Sequence, residues 1–368
     1  MKFKLNKSQH YNFFNVLKNI DKLNLSLREN KTSNNDNLIF LTHNNSLHIY
    51  CGNGLIFAYF DLNVELEDDS SFAVDFNLFN NAFNNFPSDE VNFAFIEDKN
   101  SLVFGNKKTK VALNTSVVSN SNTITEFIDS DYEFDKISNL YESIKNTSFS
   151  CSNMIEEYPY SSMMIYFDGK KFNTQSSDKH RITMYGNNFD SKNSFLISKQ
   201  SGEILNVFLK EFEDSEFTIE NNCLIVKNQY GKVSSTLEKN IHSNIFDKFA
   251  SFYEESEKKF EFVLNKYSFL KSLKFISSVS GNETIEFNFQ DDVLLLSGNT
   301  NEKGMVADKF NLNISVPNLS VSFVQNHIVK AFDIIETENI KCEILNYNSY
   351  NILKISNNHF NHLIFPMM

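Results

Sequence analysis

Hydrophobic and polar positions follow a pattern that occurs three times along the chain. Each occurrence has an apolar run with helical spacing, an acidic turn, and then a segment in which apolar and polar residues alternate as in a strand. The three occurrences begin with the segments 76–91, 202–217 and 323–340. The residues that follow the acidic turns, Val91, Phe217 and Ile340, are 126 and 123 positions apart. We therefore expect three tandem repeats.

The first half of each repeat shows a fainter version of the same regularity. Lys7, Lys136 and Lys266 each follow a short strand-like segment and precede an amphipathic helical run. We expect repeat boundaries near 1–126, 127–250 and 251–368. Two helices and about eight strands per repeat predict an α+β fold. The alternative is a chance periodicity in a chain that is rich in Asn, Lys, Phe and Ile.

Composition and charge narrow the class of protein. The chain has 368 residues, 41% of them hydrophobic, and a net charge of −12. That charge argues against a protein that coats nucleic acid with its whole surface, but it leaves a local basic face open. No apolar run approaches the roughly 20 residues of a membrane helix, and the N-terminus lacks a secretory pattern. The four cysteines are far apart, as expected for free thiols in a reducing, cytoplasmic compartment.

The densest polar cluster is the segment Ser176–Arg181. Asp178 and His180 are alternate residues near a strand, so an acid–base pair is geometrically possible. No nucleophile elbow and no glycine-rich phosphate loop accompanies them. A polar turn between two strands is the simpler interpretation. A binding surface beside Tyr160 and Ile182 is the third.

Two other sets of side chains have chemical potential. His359 and His362 could be half of a metal site, but strand spacing would point them to opposite faces, and we expect no metal. Eight lysines lie on or beside the repeated helices: Lys18, Lys22, Lys145, Lys199, Lys210, Lys271, Lys274 and Lys330. They are either ordinary solvated helix faces or parts of one positive surface that faces phosphate without reading sequence.

The end of the chain is apolar up to its last residue, Met368. Free C-termini are usually polar and frayed. We therefore expect residues 362–368 to form a core strand, one wall of a groove for an apolar peptide, or both.

Four segments together resemble the bacterial DNA polymerase III sliding clamp, the β subunit, including its phage-encoded relatives. They are MKF at the start, SSDKHRI at 176–182, SFLISKQSGEIL at 194–205 and LIFPMM at the end. The resemblance extends over the whole chain in length, repeat number and order of elements. It implies the DNA-clamp fold, with three repeats that each place two helices on antiparallel sheets.

The same resemblance implies an assembly and a function. Two chains would form a head-to-tail homodimeric ring around duplex DNA, with Val111, Phe275 and Ile276 at the dimer interface. The chain would catalyse no reaction and need no cofactor. It would act as a processivity factor in the cytoplasm of a bacterial cell or a phage-infected host.

The resemblance further implies a pocket for short peptides of the replicative polymerase and the clamp loader. One side of that pocket would consist of Tyr160, Ser177, His180, Arg181 and Ile182. The other side would consist of Leu363, Phe365, Pro366 and Met367. His180 and Arg181 would bond peptide carbonyls, and the apolar residues would bury the peptide's anchors. Three departures from the family put the peptide preference in question: Lys179 in place of a glycine, the Met367–Met368 ending, and the absence of proline between positions 238 and 250.

Two other functions remain open from the sequence. A non-replicative, clamp-like protein could bind clamp partners without encircling DNA. An enzyme would require Asp178 and His180 to be catalytic. A clamp with only two repeats per chain is disfavoured by the third repeat.

Overall fold

The structure is a computed structural model with two compact units. Unit one comprises Met1–Ile137 and Gln200–Glu238, and unit two comprises Ser138–Lys199 and Lys239–Met368. The residues that the structure describes are 1–11, 13–14, 17, 37–52, 56–62, 64, 66, 70–88, 90–118, 121–136, 139–189, 194–210, 215–228, 231–238, 245–246, 248–249, 252, 255–281, 283–300 and 304–367.

Unit one is built on one 12-stranded sheet with the order β1-β6-β7-β8-β5-β2-β3-β4-β16-β15-β14-β9. Its strands are β1 Lys2–Leu5, β2 Asn37–His43, β3 Ser46–Gly52, β4 Ile56–Leu62, β5 Ser71–Asp75, β6 Val91–Ile96, β7 Ser101–Gly105, β8 Lys110–Ser116, β9 Asp135–Lys136, β14 Glu216–Glu220, β15 Cys223–Asn228 and β16 Gly231–Thr236. The helices whose bounds are defined are α1 Phe76–Asn84, α2 Ser121–Asp129 and α4 Lys199–Lys210, the last of which starts one residue before the boundary between the units. Residues 7–11, 13–14 and 17 are also helical.

Phenylalanine dominates the core of unit one. Phe79 and Phe83 of α1 are fully buried and contact Phe13, Phe93 and Phe104. Aromatic pairs at these separations add to the free energy of area burial. Helix α1 starts where the sequence allows a cap, because the carboxylate of Asp75 accepts a hydrogen bond from the Leu78 amide at 2.8 Å.

Unit two holds an eight-stranded sheet with the order β13-β10-β11-β12-β22-β21-β20-β17, together with the long hairpin β18-β19. Its strands are β10 Ser162–Phe167, β11 Phe172–Ser177, β12 Arg181–Tyr185, β13 Ser194–Ser198, β17 Glu257–Asn265, β18 Thr284–Thr300, β19 Gly304–Val324, β20 Asn339–Tyr347, β21 Tyr350–Ser356 and β22 Phe360–Ile364. The helices whose bounds are defined are α3 Leu140–Thr147, α5 Lys266–Ser280 and α6 Gln325–Ile334. Residues 245–246, 248–249, 252 and 255 are also helical.

Helix α5 has clear sequence signals at both ends. The Asn265 side chain caps its first turn by accepting from the Ser268 amide at 3.1 Å. Gly281 ends it in the left-handed conformation, with φ 65°, which glycine adopts without strain. The helix packs closely on the hairpin: a Cβ on Gly298 would lie 2.6 Å from a methyl carbon of Ile276.

The two large sheets repeat one strand order. In unit one the last eight strands have the order β5-β2-β3-β4-β16-β15-β14-β9, and in unit two all eight have the order β13-β10-β11-β12-β22-β21-β20-β17. Strands at the same place in the two orders occupy equivalent places in successive repeats. In both units the middle junction joins strands that are far apart in sequence: β4 pairs with β16, and β12 pairs with β22. All described strand pairs are antiparallel, which confirms the predicted α+β class.

The three predicted repeat ranges differ in the number of strands they contain. Among the described residues, the ranges 1–126 and 127–250 each contain eight strands, and 251–368 contains six. The reason is that β18 and β19, of 17 and 21 residues, run through positions where the earlier ranges have shorter strands. The repeat boundaries themselves stay a prediction, because the two compact units are assembled across them.

Candidate functional site

The segment 176–182 and the end of the chain lie side by side in unit two. Strands β12 and β22 pair so that Ile182 is opposite Leu363. The pairing continues past β22, because the Phe365 amide donates to the carbonyl of His180 at 3.0 Å. The Met367 amide donates to the carbonyl of Ser322 at 2.8 Å, which fixes the last described residue. The structure thus brings together the two walls that the sequence predicted.

An apolar surface lies where these walls meet. Its floor is buried and contains Met164, Ile182, Met184, Leu345 and Leu363. At its edge, the ring of Phe252 lies 5.1 Å from that of Phe365 and 4.0 Å from that of Tyr347. Tyr160, Phe365 and Pro366 are half-buried and Met367 is 45% exposed. Large apolar groups at such a rim suit the burial of an anchor side chain from a partner.

Sequence reasoning missed three aromatic residues at the end of the second predicted repeat and the start of the third. Phe246 and Phe249 pack on the floor and on each other, with ring centroids 5.3 Å apart, and Phe252 reaches the rim. Their spacing of three residues, in FDKFASF, is a signal for one helical face that could have been used.

Arg181 occupies a different environment from the predicted one. Its side chain is only 6% exposed, and its Nε donates to the Asp178 carboxylate at 2.8 Å. Its Nη2 donates to the carbonyl of Phe149 at 2.8 Å. Burial lowers the pKa of Arg181, and the Asp178 carboxylate opposes that effect. In the free chain this guanidinium is a buried structural group, and its contact with a peptide stays a prediction.

The rest of the turn is organised around a backbone conformation that favours glycine. Lys179 has φ 75°, which explains why a glycine suits this position in the family that the sequence resembles. The Lys179 ammonium pairs with Glu157 at 2.9 Å and lies over the ring of Tyr160, 5.3 Å from its centroid. Ser177 is buried and accepts from the Lys179 amide, so its hydroxyl is occupied by the turn. The His180 side chain is exposed.

The enzyme interpretation loses its geometric support here. The Asp178 carboxylate bonds the His180 backbone amide at 3.2 Å and the Arg181 side chain, instead of the His180 imidazole. His359 is exposed and His362 is fully buried, with its Nδ1 2.7 Å from the Thr183 hydroxyl, so the two histidines face apart. Within the described ranges, no cluster of three or more His, Cys, Asp and Glu residues has a metal-binding arrangement.

A half-buried histidine lies beneath the turn. His327 of α6 has its Nε2 3.9 Å from the Asp178 carboxylate, and burial lowers its pKa to about 4. Burial also lowers the pKa of His362 well below its usual value, with Arg181 and His327 adding repulsion. Both imidazoles are therefore neutral near pH 7.

The predicted DNA-facing lysines take several environments. Lys210, Lys271 and Lys274 are exposed on their helices, and Lys330 is half-buried. Lys145 is 3.8 Å from Glu142, and the Lys199 ammonium bonds the Asn153 side chain at 2.5 Å. Lys18 and Lys22 lie outside the described residues.

The three predicted interface residues differ in exposure. Val111 is half-buried on β8, and Phe275 is 54% exposed on α5. Ile276 is corrected to a core residue, because it is 1% exposed and packs inside unit two. Adjacent helix positions point about 100° apart, so only one of the two neighbouring side chains faces out.

Comparison with known proteins supports the fold. Residues 255–368 match a family model described as DNA polymerase III beta subunit, C-terminal domain. The DNA polymerase III beta chain from Streptococcus pneumoniae is 17% identical, with TM-score 0.82, and the alignment covers 100% of this chain and 99% of that one. The sliding clamp from Bacillus subtilis (14%, TM-score 0.81) and the beta subunit from Borrelia burgdorferi (16%, TM-score 0.83) have the same coverage.

These comparisons confirm the predicted resemblance to DNA polymerase III sliding clamps and the clamp fold along the whole chain. No curated protein matches the sequence. Among the described residues, no helix is both long enough and apolar enough to span a membrane.

Proposed function

We propose that this chain is a DNA polymerase sliding clamp, which encircles duplex DNA as a head-to-tail homodimer and tethers a replicative polymerase. It acts by topology and by peptide binding and has no catalytic role. The observation that carries the proposal is the repeated strand order. Two sets of four strands each join a neighbouring set through β16–β4 and β22–β12. In the equivalent third set, strand β8 has a described pairing of only two residues on the corresponding edge.

The third junction follows from the order of the strands. The sets β9-β14-β15-β16 and β17-β20-β21-β22 each join a neighbouring set through their last strand, by β16 on β4 and β22 on β12. The equivalent set β1-β6-β7-β8 ends in β8, whose described pairing with β5 is limited to Thr115 and Ser116. Residues 110–114 of β8 therefore offer a strand edge, and an exposed edge is a template for pairing with another chain.

The matching edge is on β19. In the first repeat, β4 and β5 precede α1 along the chain; in the third repeat, the single long strand β19 precedes α6. The first part of β19, residues 304–312, therefore corresponds to β4. Its described pairing is with β18 along one edge. Pairing of β8 with β19 of a second copy makes a heterologous contact, and two such contacts close a ring.

Apolar side chains beside both edges suit this contact. Val111 and Leu113 are half-buried on β8, between exposed neighbours. Phe275 on α5 is 54% exposed and Met305 at the start of β19 is 65% exposed. Burial of such groups between copies stabilises a dimer by roughly 25 cal/mol for each Å² of apolar area.

The charge of the chain fits a ring that slides. Its net charge of −12 disfavours non-specific coating of nucleic acid. Exposed lysines on the helices, such as Lys210, Lys271 and Lys274, can attract phosphates without reading bases. The apolar surface around Phe365 and Met367 then holds the polymerase near the primer end by raising its effective concentration.

The test is retention on circular DNA. Mass photometry and negative-stain electron microscopy of the full chain should show a dimer with a central opening. Incubated with its clamp loader, the protein should stay on a nicked circular plasmid through gel filtration in high salt and leave after the plasmid is cut. Equal retention on cut and circular DNA, or none on either while the protein still binds polymerase peptides, would support a clamp-like protein that does not encircle DNA. The corresponding cellular location is the cytoplasm of a bacterium or a phage-infected host.

A further inference from the structure

Unit one contains a cavity of about 560 Å³ beside α2. Its walls are mainly apolar and include Ile39, Tyr50, Phe57, Ile124, Phe127 and Tyr132. Most of these side chains are half-buried, so they are accessible to a ligand without unfolding. A concave, largely apolar cavity of this size is typical of a binding site for a small group.

Helix α2 is fixed against the sheet, so this cavity is preformed. The buried ammonium of Lys232 donates to the carbonyls of Ile128 and Ser130, each at 3.1 Å. This ammonium lies at the C-terminal end of α2, where a positive charge interacts favourably with the helix dipole. The Asp129 carboxylate bonds the His43 imidazole at 2.7 Å, and the ring of Phe127 contacts that of Tyr59, 5.7 Å away. A preformed site loses less conformational entropy when it binds.

The cavity has the same place in unit one as the proposed peptide pocket has in unit two. In unit two, the end of the second predicted repeat places Phe246 and Phe249 near the β12–β22 junction. In unit one, the segment between repeats is α2, which places Phe127 near the β4–β16 junction. The comparison rests on the proposed function for the pocket in unit two. The cavity and its lining stand independently of it.

The buried ammonium of Lys232 lies 5.9 Å from the ring centroid of Phe127, and it is already paired with the carbonyls at the end of α2. Exposed carboxylates lie beside the cavity. Glu220 lines it, and Glu126 lies on α2 between the lining residues Ile124 and Phe127. Asp131 and Glu133 flank Tyr132, and all four carboxylates are exposed. The lining residues that the structure describes include no lysine or arginine. A ligand with basic groups beside its apolar anchor is therefore complementary.

We propose that this cavity is a second peptide-binding site, which takes a short segment with an aliphatic or aromatic anchor and basic flanking residues. The anchor side chain occupies the space between Tyr50, Phe57 and Phe127. The flanking ammonium or guanidinium groups face Glu126 and Glu220. A partner bound here would leave the unit-two pocket open, so one chain could hold two partners at once.

Cys223 provides a reporter in the cavity wall. It is half-buried and lines the cavity, whereas Cys51, Cys151 and Cys342 are buried. Burial raises the pKa of the Cys51 thiol to about 12, which keeps it unreactive near neutral pH. N-ethylmaleimide should therefore modify Cys223 selectively in the folded protein, and an occupant of the cavity should slow that reaction.

The experiment uses the full chain and two peptides, acetyl-Lys-Lys-Leu-Phe-Lys-Lys-amide and its counterpart with Glu in place of every Lys. Alkylation at pH 7.5 is followed by peptide mass spectrometry. At ten times its dissociation constant, the basic peptide should slow modification of Cys223 about tenfold. The acidic peptide should leave the rate unchanged.

Two variants locate the effect. Tyr132→Ser removes part of the cavity wall and should abolish protection, with Cys51 still unreactive as evidence of folding. Phe365→Ala alters only the unit-two pocket and should keep protection, so failure of the proposed clamp function would not remove this result. Equal alkylation with and without the basic peptide, equal protection by the acidic peptide, or loss of protection in Phe365→Ala alone would overturn the second site.

Discussion

The guanidinium of Arg181 donates through Nε to the carboxylate of Asp178 at 2.8 Å, and the two side chains are 6% and 15% exposed. This ion pair fixes the turn that leads from β11 to β12. Since both charges are shielded from water, removal of one leaves the other without compensation.

We therefore expect Arg181→Met to lower the free energy of unfolding by about 3–5 kcal/mol. The matched control is Lys179→Gln in the same turn, which removes the ion pair with Glu157. Those side chains are 48% and 31% exposed, so the control should cost under about 1 kcal/mol. Urea denaturation followed by circular dichroism measures both. Similar losses for the two variants would contradict the structural role of the buried pair.

The free energy of unfolding should decrease as the pH is lowered, because of His327. Burial, with repulsion from Arg181, lowers the pKa of this imidazole to about 4, below the roughly 6.5 of an unfolded chain. Between those values the unfolded chain binds more protons, so the contribution of neutral His327 is present above pH 6.5 and is lost as the pH falls toward 4.

The variant His327→Gln should remove this part of the pH dependence. The urea midpoint of the unmodified chain should drop further from pH 7 to pH 5 than that of the variant. His359→Gln changes an exposed histidine of the same unit and should retain the full drop. If all three proteins show the same drop, the His327 imidazole is not the group responsible.

Polymerase tethering should depend on the rim of the unit-two pocket. Phe365 contacts Phe252, and Met367 is 45% exposed, so the double variant Phe365→Ala, Met367→Ala removes apolar area that an anchor would bury. We expect at least a tenfold loss of polymerase stimulation on primed circular DNA, while the ring persists in mass photometry. Val263→Ala, at a residue 59% exposed on β17, is the control and should stimulate normally. Unchanged stimulation by the double variant would remove the pocket assignment.

The dimer should depend on the strand edge of β8 and on α5. Introducing charge with Val111→Asp or Phe275→Asp would bury an unpaired carboxylate in the proposed interface, which is strongly unfavourable. Sedimentation velocity should show each variant shifted from dimer to monomer. Leu78→Asp changes a residue that is 61% exposed on α1 and should leave the dimer intact. Dimers that resist both interface substitutions would place the contact elsewhere.

Local pattern and long-range pairing differ in how far sequence can predict them. Helices α1, α3, α4, α5 and α6 lie where the apolar spacing placed them, because that spacing reports a single face of one element. The junctions β4–β16 and β12–β22 join residues far apart in the chain, and no local pattern specifies such partners. The resemblance implied both Phe275 and Ile276 at the dimer interface, but only Phe275 is exposed, because adjacent positions of a helix point about 100° apart.

The candidate site also contains residues that the sequence could place and one whose environment it could not. Tyr160, Ile182, Leu363 and Phe365 lie in one apolar cluster, as the resemblance implied. Ile182, Leu363 and Phe365 belong to segments that carried that resemblance in the sequence. The burial of Arg181 was not predictable, since it depends on Phe149 and Asp178 closing around the guanidinium.

The junction between β4 and β16 should be sensitive to a single methyl group. Gly231 begins β16, and a Cβ there would overlap the carbonyl oxygen of Tyr59 and lie 3.0 Å from the Cα of Phe60. Because those atoms are backbone, they cannot move aside without shifting β4. Gly231→Ala should therefore lower the free energy of unfolding by more than about 2 kcal/mol. Gly169→Ala is the control: its Cβ meets nothing within 4 Å, and its φ of 90° should cost about 1 kcal/mol. If the two variants unfold at the same urea concentration, the close approach at this junction does not limit stability; a larger loss for Gly231→Ala would identify it as a tightly packed link between the first two repeats.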